Sequence, residues 1–562
     1  MFADRVLVRG RIITVDEKDS VVEAVAIRDG RILAVGSAAE ILALVGPGTE
    51  TTDLHGLTAT PGLLDAHCHF AGGAFDRLFV LDLSYPRVRS VADVVALVKA
   101  ERSRPGEWIQ GRGWDEGKLA ERRYIRAADL DAVAPDRPVW LSHTMGHYGV
   151  ANSVALERAG ITAATPDPPG GTIDRDADGR PTGVLKESAQ ALVERLIPPA
   201  SPEQRREAIR QLAREFNEEG MTGLKEPGIG PETWQAYQET LAEGALTVRV
   251  FALWHGGESA EETRQVIERI GPFTKPYRSV GDAHLVSGGV KLYMDGSGGA
   301  RTAWMYDEWN KNGDQVDAGN RGYPTADPEL RRSQIRAYHG AGIHVSTHAI
   351  GDRAIDWVVD SYALALAGDP RAGLRHGIIH ANIPTDRALD RMAELQRRFD
   401  AGYPEPSATF TWWIGDTYAG NFGPVRSRRL NPFRSYLERG MLWAAGSDFN
   451  VTPFPARYGL FAAMARETLL GVYGRNPYGM EQSVDLRSAL RSHTIWAARQ
   501  MFLERRIGSI EVGKEADIAV WDTDLYAATP EQVRDMTCVM TLFQGRVVHR
   551  APESKVTEAR PR

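Results

Sequence analysis

Two histidines separated by one residue, His67 and His69, are the first residues in this sequence that could carry out chemistry. They end the segment 60–69, TPGLLDAHCH, whose apolar run predicts a short β-strand. Alternate side chains of a strand share one face, so both imidazoles would point the same way. Imidazoles placed like this can bind one metal ion together. A single His-x-His pair also occurs without a metal, so a metal site requires further ligands elsewhere in the chain.

Further polar residues occur at the ends of later apolar runs that have the character of strands. Lys291 lies in the fourth run, whereas His348, His380 and Asp448 follow the fifth, sixth and eighth runs. If these runs form one parallel barrel, their carboxyl ends meet on one face, where the active sites of such barrels lie. The four histidines, the lysine and the aspartate would then surround a common metal site.

The positioning elements are eight strand candidates that alternate with helical patterns. Their number and alternation predict an α/β protein with a (β/α)8, TIM-like barrel. Two intervening helices have clear starts, Ser201 with Gln204 and Ser259 with Glu262, which are capping-box patterns. The strand candidates are residues 62–65, 222–224, 248–253, 289–293, 344–347, 377–379, 407–411 and 442–445.

The length of the chain exceeds what a barrel needs, which predicts additional domains. The barrel is expected over residues 60–504, with a large insertion after the first strand at about 71–211 that covers the barrel mouth. Both ends of the chain are rich in β-branched residues and turn signals. Residues 1–59 and 505–562 are therefore predicted to build one small composite β-sandwich.

The composition of the chain argues against several classes of binding partner. The 562 residues include 67 Lys+Arg and 74 Asp+Glu, a net charge of −7, which argues against a nucleic-acid partner. No run approaches the roughly 20 apolar residues of a membrane span, and the first residues lack a secretory pattern. The two cysteines, Cys68 and Cys538, cannot form a disulfide framework. We expect a cytoplasmic protein with a small-molecule substrate; the sequence leaves open whether it forms a homo-oligomer.

Several segments together resemble the amidohydrolase superfamily of metal-dependent hydrolases. Within that superfamily, the sequence is most similar to the branch that includes N-substituted formamide deformylases. The resemblance runs nearly end to end, although it does not specify a substrate. The segments that carry it are 60–69, 146–156 (GHYGVANSVAL), 291–303, 348–353 (HAIGDR), 375–380, 446–448 (GSD) and 508–522.

The resemblance implies a site for two divalent metal ions, with zinc expected first and manganese, iron or cobalt as alternatives. His67 and His69 would hold one ion with Asp448, and His348 and His380 would hold the other. Lys291, carboxylated on its side-chain nitrogen, would bridge the two ions. Two other lysines compete for this role, Lys186 in the insertion and Lys225 after the second strand. Lys291 is favoured because it lies in the fourth strand and precedes the motif Asp-Gly-Ser at 295–297.

The implied function is hydrolysis of a C–N bond in an amide, formamide or N-acyl compound by a hydroxide that bridges the metals. Asp448 would act as general base and then as general acid. Two alternatives remain open. The first is a deaminase or a ring-opening hydrolase of cyclic amides or imides, and the second is a barrel with a remnant, non-catalytic metal site. The presence of all six ligands argues against a remnant.

Five further residues are candidates for substrate contact. His147 and Asn152 belong to the matched segment of the insertion, where turn and helix-cap roles are the alternative. Lys225 would face the barrel mouth. Trp412 and Trp413 follow the seventh strand candidate and could wall an apolar pocket, or belong to the core.

Overall fold

The centre of the molecule is a curled sheet of seven parallel strands. The computed structural model describes residues 2–102, 107–274, 283–552 and 556–559. Adjacent strands pair in chain order, and every pair is parallel. Because both faces are covered, the strands are almost continuously buried. The strands are β1 (Leu63–Asp65), β2 (Met221–Ile229), β3 (Arg249–His255), β4 (Leu285–Tyr293), β5 (His344–Ala349), β6 (Gly377–His380) and β7 (Tyr403–Glu405).

An extended segment joins the two edges of this sheet. Residues 442–445, the eighth strand candidate, do not form a regular strand but lie between β7 and β1. The Ala444 N–H donates to the Pro404 carbonyl at 3.3 Å, and the Ala445 carbonyl accepts from Ala66 at 3.0 Å. These bonds on both sides fit the predicted TIM-like barrel.

The seventh strand lies earlier than the sequence predicts. Residues 407–411 were expected to form it, but they contain the short 3-10 helix Ala408–Phe410, and the strand is β7. The two prolines at 404 and 406 make this stretch look unsuited to a strand, because proline donates no backbone hydrogen bond. The carbonyl groups of these prolines nevertheless accept hydrogen bonds from the N–H groups of Ala444 and Gly446.

Helices surround the sheet, and a serine caps both predicted helix starts. Of these two, only Ser201 with Gln204 forms the reciprocal capping box, because the Glu262 carboxylate accepts from the Glu258 N–H and not from the Ser259 N–H. Ser201 Oγ accepts from Gln204 N at 3.2 Å, and Ser259 Oγ accepts from Glu262 N at 3.1 Å. Most helices bury one face against the strands. The main helices around the barrel are Phe70–Phe79, Pro202–Glu218, Pro231–Ala242, Ala260–Thr274, Pro328–Gly340, Asp352–Gly368, Asp386–Phe399, Gly415–Ser427, Phe433–Glu438, Ala456–Ala465, Leu486–Ser492 and Ile495–Gln500.

The residues between β1 and β2 contain a separate sheet of six strands. This sheet has a hydrophobic core separate from that of the barrel, in which Trp114, Tyr148 and Leu141 are fully buried. In spatial order the strands are Gly171–Arg175, Pro181–Glu187, Tyr148–Ala151, Val139–His143, Ile109–Trp114 and Leu81–Asp82. The helices of this region are Val91–Arg102, Ala127–Asp131, Ser153–Arg158 and Ala191–Glu194.

Strands from both ends of the chain form two more sheets that share a buried cluster containing Leu7, Ile12 and Val520. One has the order Thr557–Ala559, Glu50–Asp53, Arg5–Val8, Ala24–Arg28 and Arg31–Gly36. The other has the order Arg546–Arg550, Cys538–Phe543, Ile518–Trp521, Thr58–Pro61, Arg11–Ile13 and Val21–Val22.

The boundaries predicted for this terminal region stay a prediction, and its positions 1, 553–555 and 560–562 lie outside the described residues. The region also contains the helices Ala38–Leu42 and Pro530–Asp535. Across the described part of the chain, every helix is too short or too polar to cross a membrane.

Candidate metal centre

The predicted metal ligands lie at the carboxyl ends of the barrel strands. His67 and His69 follow β1, and Asp448 follows the extended segment 442–445. The backbone joins these two loops, because the His67 carbonyl accepts from the Asp448 N–H at 2.7 Å. The His69 N–H donates to the Phe449 carbonyl at 2.6 Å. Closure of the barrel therefore places these ligands side by side although they are far apart in sequence.

Three of the predicted ligands form a compact group. His67 Nε2 lies 3.2 Å and His69 Nε2 lies 3.4 Å from Asp448 Oδ1. One ligand atom from each of the three residues lies within 4.8 Å of the other two. Within the described residues, both ring nitrogens of His67 are buried without a hydrogen-bond partner. Buried imidazole nitrogens require a partner, and a divalent cation bound by nitrogen and oxygen ligands satisfies this requirement.

The other predicted ligands continue this group along the mouth of the barrel. The ring centroid of His380 lies 5.1 Å from that of His67 and 4.7 Å from that of His348. His380 Nε2 is 3.9 Å from Asp448 Oδ2. Lys291, on β4, is buried, with Nζ 4.6 Å from the ring centroid of Tyr293. The structure thus brings the four histidines and Asp448 together, and it places Lys291 beside Tyr293, whose ring centroid lies 5.7 Å from that of His348.

Burial keeps the histidines of this cluster neutral. It lowers the pKa of His67, His348 and His380 well below the usual value, and the nearby charge of Lys291 lowers it further. Burial lowers the pKa of His69 to about 3. A neutral imidazole has a free lone pair, which is the form that binds a cation.

Burial also shifts the two remaining ligands toward their neutral forms. It lowers the pKa of Lys291, although the charges of Asp448 and Glu405 oppose this shift. It raises the pKa of Asp448, against the opposing charge of Lys291. An uncharged amine at Lys291 is the nucleophilic form of that side chain.

Two buried carboxylates hold the ligand loops in place. Asp65 accepts from the Ser447 N–H at 2.9 Å and from Ser447 Oγ at 2.5 Å, which joins the ends of β1 and the eighth segment. Asp295 accepts from three backbone N–H groups, those of Ile350, Gly351 and Trp304. Both aspartates belong to sequence motifs described above, for which this role was not predicted.

His147 reaches the cluster from the insertion, and its contact with a substrate stays a prediction. Its ring centroid lies 5.3 Å from that of His348, and its Nδ1 lies 2.8 Å from Glu187 Oε2. Burial lowers the pKa of His147, but Glu187, Asp448 and Asp295 together outweigh it, so the pKa is raised. Glu187 was missed in the sequence, which offers no local signal for a contact across 40 positions.

The two competing lysines are engaged elsewhere. Lys225 Nζ lies 2.7 Å from Glu405 Oε1 and 2.9 Å from Ser346 Oγ, and both ionic side chains are fully buried. Lys186 pairs with Asp174 at 3.2 Å. Neither arrangement supports the bridging role, and that of Lys225 does not support its proposed substrate contact either.

Asn152 is a helix cap rather than a substrate contact. Its Oδ1 accepts from Val139 N and from Ala155 N, at the start of the helix Ser153–Arg158. Its Nδ2 donates to two backbone carbonyls, both at 2.9 Å. These bonds occupy the whole amide within the insertion.

The two tryptophans differ in their surroundings. Trp412 is only 8% exposed and packs on Tyr458 and Phe461, so it belongs to the core. Trp413 is half-buried and lines a cavity of about 670 Å³ together with Phe449 and Asn450, which directly follow Asp448. Only Trp413 keeps its predicted place on a pocket wall.

Fold and site together define a class of protein. A parallel barrel with histidines and an aspartate gathered at the carboxyl ends of its strands is the architecture of a metal-dependent hydrolase. Residues 50–549 match the amidohydrolase family, and the chain belongs to this family. The match confirms the resemblance seen in the sequence.

Known proteins are similar to this chain over nearly its whole length. YtcJ of Bacillus subtilis is 29% identical, over 96% of this chain and 98% of its own. The N-substituted formamide deformylase of Arthrobacter pascens is 28% identical, over 96% of this chain and 97% of its own. The crystal structure of an uncharacterized metal-dependent hydrolase from Pyrococcus horikoshii superimposes with a TM-score of 0.71 at 24% identity, covering 94% of this chain and 99% of that one.

Proposed function

We propose that this protein is a metal-dependent hydrolase that cleaves the C–N bond of an amide, formamide or N-acyl compound. The observation that carries the proposal is the compact group of His67, His69 and Asp448, whose ligand atoms lie within 4.8 Å of one another. The formamide deformylase relative supports an amide-type substrate.

The residues present fit a centre for two divalent ions, with zinc as the first expectation. His67, His69 and Asp448 would hold one ion, and His348 and His380 the other. When bound, the ions would polarise a carbonyl group and make water a stronger nucleophile at neutral pH.

Lys291 would complete the centre as a carboxylated side chain. Its neutral amine adds to carbon dioxide, forming an N–C bond and releasing one proton, and the product is an anion. Burial favours the neutral amine that this addition requires, since it lowers the pKa of Lys291.

The remaining chemistry belongs to two side chains of this protein. Asp448 would accept a proton from the attacking water and deliver it to the leaving nitrogen. His147, held by Glu187 at 2.8 Å, lies beside His348 and would contact the substrate from the insertion. Its fixed orientation would position the substrate carbonyl before attack.

A second candidate is deamination, or ring opening of a cyclic amide or imide. The observation that favours it is that one compact group of three ligands suffices for a single ion. Such a reaction would proceed with one ion per chain and an unmodified Lys291.

Metal content separates these candidates. We expect two zinc ions per chain in wild-type protein by inductively coupled plasma mass spectrometry, and at most one in Lys291→Ala. Lys186→Ala is the matched control, because Lys186 pairs with Asp174 away from the cluster. Wild-type protein should then hydrolyse N-substituted formamides or N-acyl compounds in preference to cyclic imides.

Three outcomes would count against the proposal. A single ion per chain together with an unmodified Lys291 in intact-protein mass spectra would favour the second candidate. Equal metal loss in both lysine variants would remove Lys291 from the centre. Protein that binds no divalent ion and hydrolyses none of these compounds would overturn the function.

A further inference from the structure

Arg112 lies at the edge of the candidate metal centre without a role in the chemistry proposed above. It belongs to the insertion strand Ile109–Trp114 and is only 22% exposed. Burying a guanidinium without hydrogen bonds costs free energy, so such a residue requires a partner.

Within the described residues, Arg112 makes one ion pair but none of its nitrogens makes a hydrogen bond. Nε lies 3.4 Å from Asp76 Oδ2 and is buried without a hydrogen bond. Asp76 in turn accepts from Asn450 Nδ2 at 2.6 Å, which fixes the carboxylate behind the arginine. Among the described residues, the two terminal nitrogens of Arg112 make no hydrogen bond. Asp76 is the carboxylate that pairs with Arg112, and the charge of the arginine also acts on Glu194, yet the five N–H donors of the guanidinium have no hydrogen-bond acceptor among the described residues.

The terminal nitrogens point toward the turn that carries His147. A Cβ atom at Gly146 would lie 3.2 Å from Arg112 Nη2, and Gly146 adopts a φ of +71°. A larger residue at this position would be strained and would crowd the guanidinium. The guanidinium of Arg112 thus lies beside Gly146, the residue before His147, and the ring of His147 lies against that of His348.

The charge of Arg112 is felt by the ligands themselves. Burial lowers the pKa of His69 to about 3, and the charges of Lys291 and Arg112 contribute to this shift. Burial raises the pKa of Asp448, and Arg112 is among the cations that oppose the shift. Geometry places the arginine near the centre, because Arg112 Nη2 lies beside Gly146 and the ring centroid of the next residue, His147, lies 5.3 Å from that of His348.

A cavity of about 670 Å³ begins at this arginine. Besides Arg112, its wall includes Thr144, Asn450 and the aromatic Trp413. Its size lies within the range of about 300–1,000 Å³ typical of small-molecule sites. The six proposed ligands are not among its lining residues, but its wall includes Phe449 and Asn450, which directly follow Asp448 in the chain.

We propose that Arg112 binds a carboxylate group of the substrate, so that the natural substrate is an amide that carries a carboxylate, with its side chain in the cavity against Trp413. The inference rests on the proposed amide hydrolysis. A planar fork of donors matches a carboxylate with two parallel hydrogen bonds, which a lysine could not reproduce.

Equilibrium binding tests this proposal separately from catalysis. The probes are N-acetylphenylalanine and its neutral counterpart N-acetylphenylalaninamide, titrated by calorimetry into zinc-loaded protein. We expect wild-type protein to bind the carboxylate about tenfold or more tightly than the amide. Arg112→Gln should reduce this preference to less than about threefold at unchanged metal content and melting temperature.

Arg77→Gln is the matched control. Arg77 lines the same cavity but already pairs with Glu215 at 2.6 Å, so this variant should keep the full preference. Arg112→Lys keeps the positive charge but lacks the planar set of donors, so it should lose most of the preference for the carboxylate probe. If Arg112→Gln fails to fold, Arg112→Lys takes its place in the test.

Two results would overturn the assignment. One is wild-type protein that binds both probes equally. The other is a carboxylate preference that survives in both Arg112 variants, which would place the carboxylate on the metal ions. Failure of the protein to hydrolyse any amide would overturn the proposed function. The preference for the carboxylate probe would still show whether Arg112 binds a carboxylate.

Discussion

At the scale of single residues, the centre depends on how Asp448 is held. Its backbone adopts a φ of +56°, an unusual conformation for a residue with a side chain. The hydrogen bond to the His67 carbonyl and the clamp between Asp65 and Ser447 maintain this conformation. Unusual backbone geometry of this kind is found where the surrounding structure fixes a functional group.

Asp448→Asn should separate metal binding from proton transfer. The amide oxygen can still act as a ligand, but the side chain can no longer accept a proton, so part of the metal should remain. Turnover should fall by about 10²- to 10⁴-fold, the usual contribution of a general base. Metal analysis and kcat on N-benzylformamide, or on whichever amide the wild type hydrolyses, measure the two effects. Near-normal turnover would remove Asp448 from proton transfer.

At the scale of elements, a buried ion pair crosses the barrel interior between β2 and β7. Lys225 and Glu405 are both fully buried, and their charged atoms lie 2.7 Å apart. Gly377 on β6 makes room for this pair, because a Cβ atom there would collide with Glu405 Oε1. Glu405 Oε1 also accepts from Ser346 Oγ at 2.8 Å, whereas Oε2 is buried without a partner within the described residues, so Lys225 is the cation that pairs with this carboxylate.

Lys225→Met should therefore destabilise the barrel strongly. Removing one partner of a buried ion pair leaves an uncompensated charge, which costs about 3–5 kcal/mol. Thermal melting should show a marked decrease, and the double variant with Glu405→Gln should recover part of it. Lys186→Met, which breaks a more exposed pair, should have a smaller effect. If the Lys225 and Lys186 variants melt at the same temperature, the interior pair is not a stabilising element.

At the scale of the whole molecule, Arg249 connects the barrel to the terminal sheets. It lies on β3, is fully buried, and donates to Asp517 at 2.7 Å and to Glu515 at 2.5 Å. Burial raises the pKa of Glu515, but Arg249 and Arg506 outweigh this effect, so the pKa lies below its usual value. An acid with a lowered pKa in the folded state stabilises the protein above the pKa of the unfolded chain.

The stabilisation from this group should be lost as pH falls through the lowered pKa of Glu515. Arg249→Met should decrease the melting temperature at pH 7, corresponding to about 3–5 kcal/mol for a broken buried pair. The difference from wild type should shrink below about pH 4, as the Glu515 carboxylate becomes protonated. Arg31→Met is the control, because Arg31 is half-exposed and lies 3.6 Å from Glu515. A difference that does not change with pH would contradict this account.

Much of the architecture could be predicted from local patterns. Six of the eight strand candidates overlap the strands of the barrel sheet, and a serine caps both predicted helix starts, one of them as a full capping box. Periodicity and caps depend on residues only a few positions apart, which the sequence shows directly. The seventh strand was misplaced because Pro404 and Pro406 made its position look unsuited to a strand. The hydrogen bonds that their carbonyls accept come from residues 444 and 446, about forty positions away in the chain.

The sequence by itself determined which side chains could bind a metal and that they occur at the ends of strands. Only the tertiary structure decided what each side chain contacts. Asn152 became a cap, Lys225 a partner of Glu405, and Arg112 a neighbour of the centre, because these contacts join loops and strands remote in the chain. The geometry of barrel closure and the path of the insertion set such contacts, and neither leaves a local trace in the order of the residues.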